Sequence, residues 1–308
     1  MRRRSSSPST LRLAVAVVTV ALGVATAACS TVPPLPPKAV ELNRDGAAAL
    51  ALGDLATAEA RLGVAVEYSP RFTEAWVNLG LVALRRGNLD LARAHFNRAR
   101  DLNPDLPAPH HALGLLADRR GIGAEAEKHY RMALKVDPGF VPARQNLARR
   151  LFERGAFDDA REQFARLSQV APDDVSGYVG LAESLLRLDR EPEADDAIAR
   201  ARARFGDTPE LVMLVARQLL RRGSFAEAEE ALAPLTSDTD APRAAAAWAW
   251  IGVARAGAGR QAPARDAASE ALARDPTCAV ALHLERELGV SGAAAAPSRR
   301  EAPSRRRR

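Results

Sequence analysis

The residue types that could carry chemistry in this chain are sparse and scattered. Its five histidines are His95, His110, His111, His129 and His283. No pair of them has metal-ligand spacing with a second cluster, and none stands beside a catalytic glutamate motif. Cys29 and Cys278 are the only cysteines. No serine, threonine or cysteine groups with a general base. Two glycine-rich stretches, Gly121-Ile122-Gly123-Ala124-Glu125-Ala126 and Gly257-Ala258-Gly259-Arg260-Gln261-Ala262, have the look of a dinucleotide loop. Neither follows a strand pattern, and both fall at a turn between two helical patterns, so neither meets the context that such a loop needs. The expectation is a protein without catalytic residues, metal or cofactor, and with no small-molecule substrate.

The elements that place these residues repeat. Pro70, Pro104, Pro138 and Pro172 lie 34 residues apart. Gly53, Gly87, Gly121 and Gly155 precede them by 17, Ala58, Ala92, Ala126 and Ala160 by 12, and Leu62, Phe96, Tyr130 and Phe164 by 8. Small, large and helix-stopping residues in fixed phase mean one supersecondary unit copied along the chain.

The period and its residues resemble the tetratricopeptide repeat family. The second copy carries Trp76, Leu79, Gly80, Gly87, Ala92, Phe96, Ala99 and Pro104. The third carries Leu113, Gly114, Gly121, Ala126, Tyr130, Ala133 and Pro138, and the seventh Trp248, Ile251, Gly252, Gly259, Ala264, Ala271 and Pro276. The resemblance implies an all-α, right-handed superhelical solenoid of about seven helix-turn-helix repeats over residues 39–278. Repeat starts fall at Ala39, Thr73, Pro107, Val141, Val175, Pro209 and Ala245, and a capping helix follows at 277–290. Gly80 and Gly114 are expected where two helices approach closely, and Pro104 where a helix ends. Ser224 and Glu227 read as a capping box. The departures are Ala148 for the first glycine, Asp189 for the second, Gly206 for the proline, and a step of 36 residues before the seventh copy.

The formal charge of +6 is unevenly spread: residues 1–38 carry +5 and residues 291–308 another +5, which leaves −4 for 39–290. A nucleic-acid-binding fold would carry a basic patch on the fold itself, so no nucleic-acid partner is expected. The basic run Arg305 to Arg308 reads as a solvated end of a disordered tail, 291–308, or as a contact for anionic headgroups.

At the start, a basic lead precedes Leu13 to Ala28, a stretch of 16 residues without charge, as in a secretory signal. Leu22-Gly23-Val24-Ala25-Thr26-Ala27-Ala28-Cys29 resembles the bacterial lipoprotein signal, although Thr26 stands where that pattern has an aliphatic residue. The resemblance implies removal of 1–28, a lipid on Cys29 and an envelope location, with Ser30 pointing to the outer membrane facing the periplasm. Cleavage at Ala25-Thr26-Ala27, giving a secreted periplasmic protein, and an uncleaved anchor are the alternatives. Residues 29–38, rich in proline, read as a stiff tether. Cys278 reads as a small apolar residue of the last helix, with a Cys29 disulfide or a reactive thiol as the other readings.

In the family, the first helix of each pair lines a concave groove that takes a protein or an extended peptide. By phase, the partner-binding residues here are Asn43, Val77, Asn78, Leu81, His111, Leu115, Gln145, Asn146, Arg149, Glu183 and Arg217. Asn78 and Asn146 hold the place whose amide pairs with a ligand backbone in peptide-binding relatives; an amide donates and accepts at once. The bland reading of both is a helix-surface asparagine. The clamp for a free carboxylate terminus is missing, since the matching places hold Asn43, Ala47, Ala108 and Ala112. The layout resembles tetratricopeptide lipoproteins of pilus and secretin assembly in Gram-negative bacteria, and so implies an envelope-anchored scaffold for pilus or secretion-complex assembly. The alternatives are an adaptor for cell-wall synthesis or hydrolysis enzymes, and a docking subunit of a multi-chain secreted enzyme.

Overall fold

The computed structural model describes residues 34–289. The expected signal segment, Cys29 and the basic tail lie outside the described residues. Of the expected tether, Pro34 to Pro36 have no regular structure, while Pro37 and Lys38 already belong to the first helix.

Among the described residues there are fifteen α-helices and no strand. They run as antiparallel pairs: α1 (Pro37–Leu52) with α2 (Leu55–Tyr68), α3 (Thr73–Arg85) with α4 (Leu89–Leu102), and α5 (Pro107–Arg119) with α6 (Gly123–Val136). Next come α7 (Val141–Glu153) with α8 (Phe157–Val170), and α9 (Val175–Arg187) with α10 (Glu191–Phe205). The last two pairs are α11 (Pro209–Arg221) with α12 (Phe225–Leu232) and α13 (Ala241–Gly257) with α14 (Gln261–Arg274). A 3-10 turn, Ala233–Ser237, continues α12, and α15 (Ala279–Glu287) closes the stack.

Local chemistry sets these boundaries. The residue before each phase proline is pushed to extended backbone, with φ from −131° to −148° at Ser69, Asn103, Asp137 and Ala171. This is the restriction that proline places on its predecessor, and it ends each second helix. The first and seventh pairs begin earlier than phasing alone gives, at Pro37 and Ala241 rather than Ala39 and Ala245. In α13 the Asp240 carboxylate caps the helix, accepting from the Arg243 amide at 3.2 Å. The closing helix is shorter than 277–290, because Gly289 turns left-handed at φ 69°. Ser224 and Glu227 form no capping box. Ser224 is the N-cap residue of α12, but its ψ of 60° belongs to the tight turn within a pair, and its side chain accepts no amide.

Each first helix packs on its own second helix and on the second helix before it. Along most of the stack it also touches the next first helix (α1 with α3, α3 with α5, α7 with α9, α9 with α11, α11 with α13). Second helices make no such contact with each other beyond the weakest. The stack therefore curves with the first helices on the inside. Close approach within a pair depends on a missing side chain: a Cβ on Gly80 would lie 2.3 Å from Phe96 Cε1, and one on Gly114 2.4 Å from Tyr130 Cε1. In the fourth pair Ala148 fills that space, and the Phe164 ring instead lies against Gly180 of α9, one pair on. Phe96 and Tyr130 are fully buried; Phe164 is only half-buried.

A second column shows what the widened step does. Trp76 Nε1 donates to the Pro70 carbonyl at 3.0 Å, and Arg144, two repeats on, donates to the Pro138 carbonyl. Trp248 holds the same phase in the seventh pair, but Pro242 has moved inside α13, and Trp248 Nε1 has no acceptor. The same column places His110 against His129, 6.4 Å apart, as it places Trp76 against His95 at 5.3 Å. These histidines fill a packing position between two helices.

The candidate binding groove

Three recesses open on the inner face. The first, about 710 Å³, is walled by Leu50, Leu81, Leu84 and Leu115 with Arg85, Asp118 and Arg119. The second, about 460 Å³, lies among Phe152, Glu183, Leu186, Arg187, Arg217, Leu220, Arg221 and Trp250. A third, about 290 Å³, shares Arg217 and Trp250 with it and adds Val179, Glu210, Met213 and Arg243. First helices supply every one of these side chains.

The expected groove residues divide into distinct groups. Leu81 and Leu115 line the first recess, and Glu183 and Arg217 the second. Val77 is a correction: it is 9% exposed and packs in the core with Ala112, Leu113 and Leu116. It falls on the flank that α3 turns to α5, where phase alone does not separate wall from core. Gln145 is bound to the Asp174 carboxylate, which itself caps α9, so Gln145 is held between repeats.

The remaining polar residues pair with each other one repeat apart. Asn78 Nδ2 donates to Asn43 Oδ1 at 2.9 Å. Asn146 Nδ2 lies 2.8 Å from His111 Nε2, and Arg149 donates to Asn146 Oδ1 at 2.8 Å. Arg217 bonds Glu183. Arg85 and Arg221 donate to the carbonyls of Leu50 and Leu186, each at the end of the preceding first helix. That chain of donors fixes the His111 tautomer. Arg149 offers only hydrogens, so Asn146 turns Oδ1 to it and Nδ2 to the imidazole, and Nε2 must be the unprotonated acceptor. Burial, with Tyr130 and Phe140 rings at 5.8 and 5.6 Å, pushes the His111 pKa down to about 4. Nearby, the Tyr130 hydroxyl donates to Asp118 Oδ2 at 2.5 Å, and Arg150 Nε lies 3.1 Å from the other carboxylate oxygen. Burial first, then that carboxylate, raises the phenol pKa, so the hydroxyl keeps its proton.

Sequence reasoning passed over Trp250, Arg187 and Arg221. The signal was present: Arg85, Arg119, Arg187 and Arg221 share one phase, broken only by Glu153. Trp250 has the phase of Asn78 and Asn146 once the two extra residues before the seventh pair are counted. The two glycine-rich stretches sit at the turns α5–α6 and α13–α14, and among the described residues no strand precedes them. No group of three His, Cys, Asp or Glu that could hold a metal ion occurs among the described residues.

Models of the tetratricopeptide repeat match residues 46–107, 121–181 and 215–277, more than half of the chain. The chain belongs to the tetratricopeptide repeat family. Solved structures of similar fold include a tetratricopeptide repeat protein from Parabacteroides merdae, with a TM-score of 0.63 at 17% identity over 83% of this chain and 100% of that one. PilW has a TM-score of 0.56 at 19% identity over 66% of this chain and 94% of its own. Pseudomonas aeruginosa pilF has a TM-score of 0.54 at 17% identity over 70% and 97%. No curated protein matches the sequence. At such identities the likeness is one of fold. A tetratricopeptide fold of this kind implies a scaffold for protein–protein interaction.

Proposed function

We propose that this tetratricopeptide protein is an envelope-anchored scaffold without catalysis of its own. It holds a segment of a partner protein along its concave face. The observation that carries the reading is the inner wall itself. It is a run of first helices with open recesses at both ends, walled by leucines, arginines and one tryptophan. The lipoprotein-like run ending at Cys29 supports anchoring, and the proline-rich stretch after it supports a stand-off from the bilayer. Pilus or secretion-complex assembly is the specific role proposed. What supports it is this layout, together with the shared fold of PilW, described as a widely conserved type IV pilus biogenesis factor.

Photocrosslinkers at Leu81 and Arg149, in cells, test the groove. The expected result is one captured partner from both positions; capture only from exposed second-helix positions such as Arg98 overturns it. A Cys29→Ala chain that still pellets with membranes removes the lipid anchor from the reading. Turnover of any substrate by the purified protein removes the non-catalytic part.

A further inference from the structure

The two recesses that share Arg217 and Trp250 differ in character from the leucine-walled one. Their walls hold four arginines, Arg187, Arg217, Arg221 and Arg243, against two glutamates, Glu183 and Glu210. The region to which they belong, residues 39–290, carries −4. The lining side chains alone thus sum to +2, and low-dielectric walls focus the field of any cation left without a carboxylate on whatever enters.

The state of each cation matters more than the tally. Arg217 is matched by Glu183, and Arg243 is held by Asp238 and Asp240. Arg221 is tied to the Leu186 carbonyl at 2.5 Å and to Asp189 at 2.8 Å, a carboxylate whose side chain is 85% exposed. Arg187 has no carboxylate among the described residues. Its guanidinium lies over the rings of Phe152 and Phe157, 5.5 and 5.6 Å from their centroids. Stacking on two rings fixes the position of the cation, which lines the recess. Beside it, Trp250, Leu186 and Leu220 form an apolar wall.

We propose that this half of the groove takes an acidic, extended segment of the partner protein. A large apolar side chain seats against Trp250 and Leu186, and carboxylates meet Arg187 and Arg221. The proposal rests on the groove reading above and names the chemistry of its occupant. The chain's own ends are poor candidates, because residues 1–38 and 291–308 each carry +5. A backbone of bare phosphates uses the arginines but leaves the tryptophan wall empty.

The test uses fluorescein-labelled synthetic peptides that share alternate leucine and phenylalanine positions, with the remaining positions all acidic, all amide or all lysine. Anisotropy against the full chain should show the acidic peptide binding tightest and weakening as salt rises. Arg187→Glu and, separately, Trp250→Ala should each weaken it about tenfold, the effect of losing one charge-assisted contact or one aromatic anchor. Arg98→Glu, exposed on α4, should leave it unchanged. Far-UV circular dichroism confirms that each variant keeps its helix content, and Arg187→Gln, which matches glutamate in size but carries no charge, should fall between wild type and Arg187→Glu.

Equal binding of the acidic and amide peptides, or indifference to Arg187→Glu, overturns the proposal. So does tighter binding of a single-stranded oligonucleotide. If the amide peptide binds and Leu81→Arg blocks it, the groove reading stands and only the acidic occupant falls. If no peptide binds and cellular crosslinks arise only from second helices, both fall.

Discussion

The side-chain amide of Asn78 reaches back one repeat and donates to Oδ1 of Asn43 at 2.9 Å. A residue whose place in the family suggests an open hand for a ligand backbone is already holding its neighbour. Asn146 with His111, and Arg217 with Glu183, repeat the relationship further along the groove. The inner face is a ladder of contacts between successive first helices. It couples neighbouring repeats.

The Arg217–Glu183 rung has a measurable size. Both side chains are partly exposed, at 39% and 25%, so their pairing should contribute about 1 kcal/mol and weaken with salt. A double-mutant cycle of Arg217→Ala and Glu183→Ala in urea unfolding checks this; zero coupling at low salt contradicts it. Glu183→Gln should also tighten the acidic peptide, because it releases Arg217.

Acid should loosen the middle of the stack through His111. Its folded pKa of about 4 lies below the ordinary 6.5, so the folded state binds fewer protons than the unfolded one between those values. Stability is then fully present above pH 6.5 and is lost as pH falls toward 4. Across that window His111 alone accounts for about 3 kcal/mol. His111→Gln keeps an acceptor for Asn146 but does not titrate, so its urea midpoint should fall much less on acidification. Parallel pH profiles for wild type and variant argue against the assignment.

Two glycines in helices should respond to alanine with opposite signs. Gly80→Ala puts a methyl into the Phe96 ring and should destabilise by about 2 kcal/mol. Gly63, within α2, has no atom within 4 Å of its would-be Cβ, and Gly63→Ala should stabilise by about 0.5–1 kcal/mol through helix propensity. Thermal melts of the two variants separate the cases; a shift in the same direction refutes the packing account.

Asp189 is the one residue other than glycine with positive φ among the described residues, at 55°, in a turn where Gly155 and its counterparts sit near 80°. Asp189→Gly should relieve this strain and raise stability by about 0.5 kcal/mol after loss of the exposed Arg221 contact. A lower denaturation midpoint for the variant would show that the Arg221 pairing outweighs the backbone.

How much of this molecule can be read without coordinates follows from the range of the interactions. Proline, glycine and alanine in 34-residue phase define the hairpins, because each acts on its own turn of backbone or on a helix a few residues away. Pro104 and its counterparts end their helices through the residue before them, and Gly80 admits Phe96 from the same pair. The same reasoning picks out Leu81, Leu115, Glu183 and Arg217 as groove side chains. It fails where the answer depends on a neighbour a whole repeat distant. Val77 lies on the helix flank that α5 covers. Ser224 has the right side chain on the wrong backbone. Asn43, Asn78, His111 and Asn146 are partners rather than separate contacts, and Trp250 enters the groove only after a two-residue slip. The curvature of the stack, set by how first helices meet one another, fixes these distances, and phase along one chain carries no measure of it.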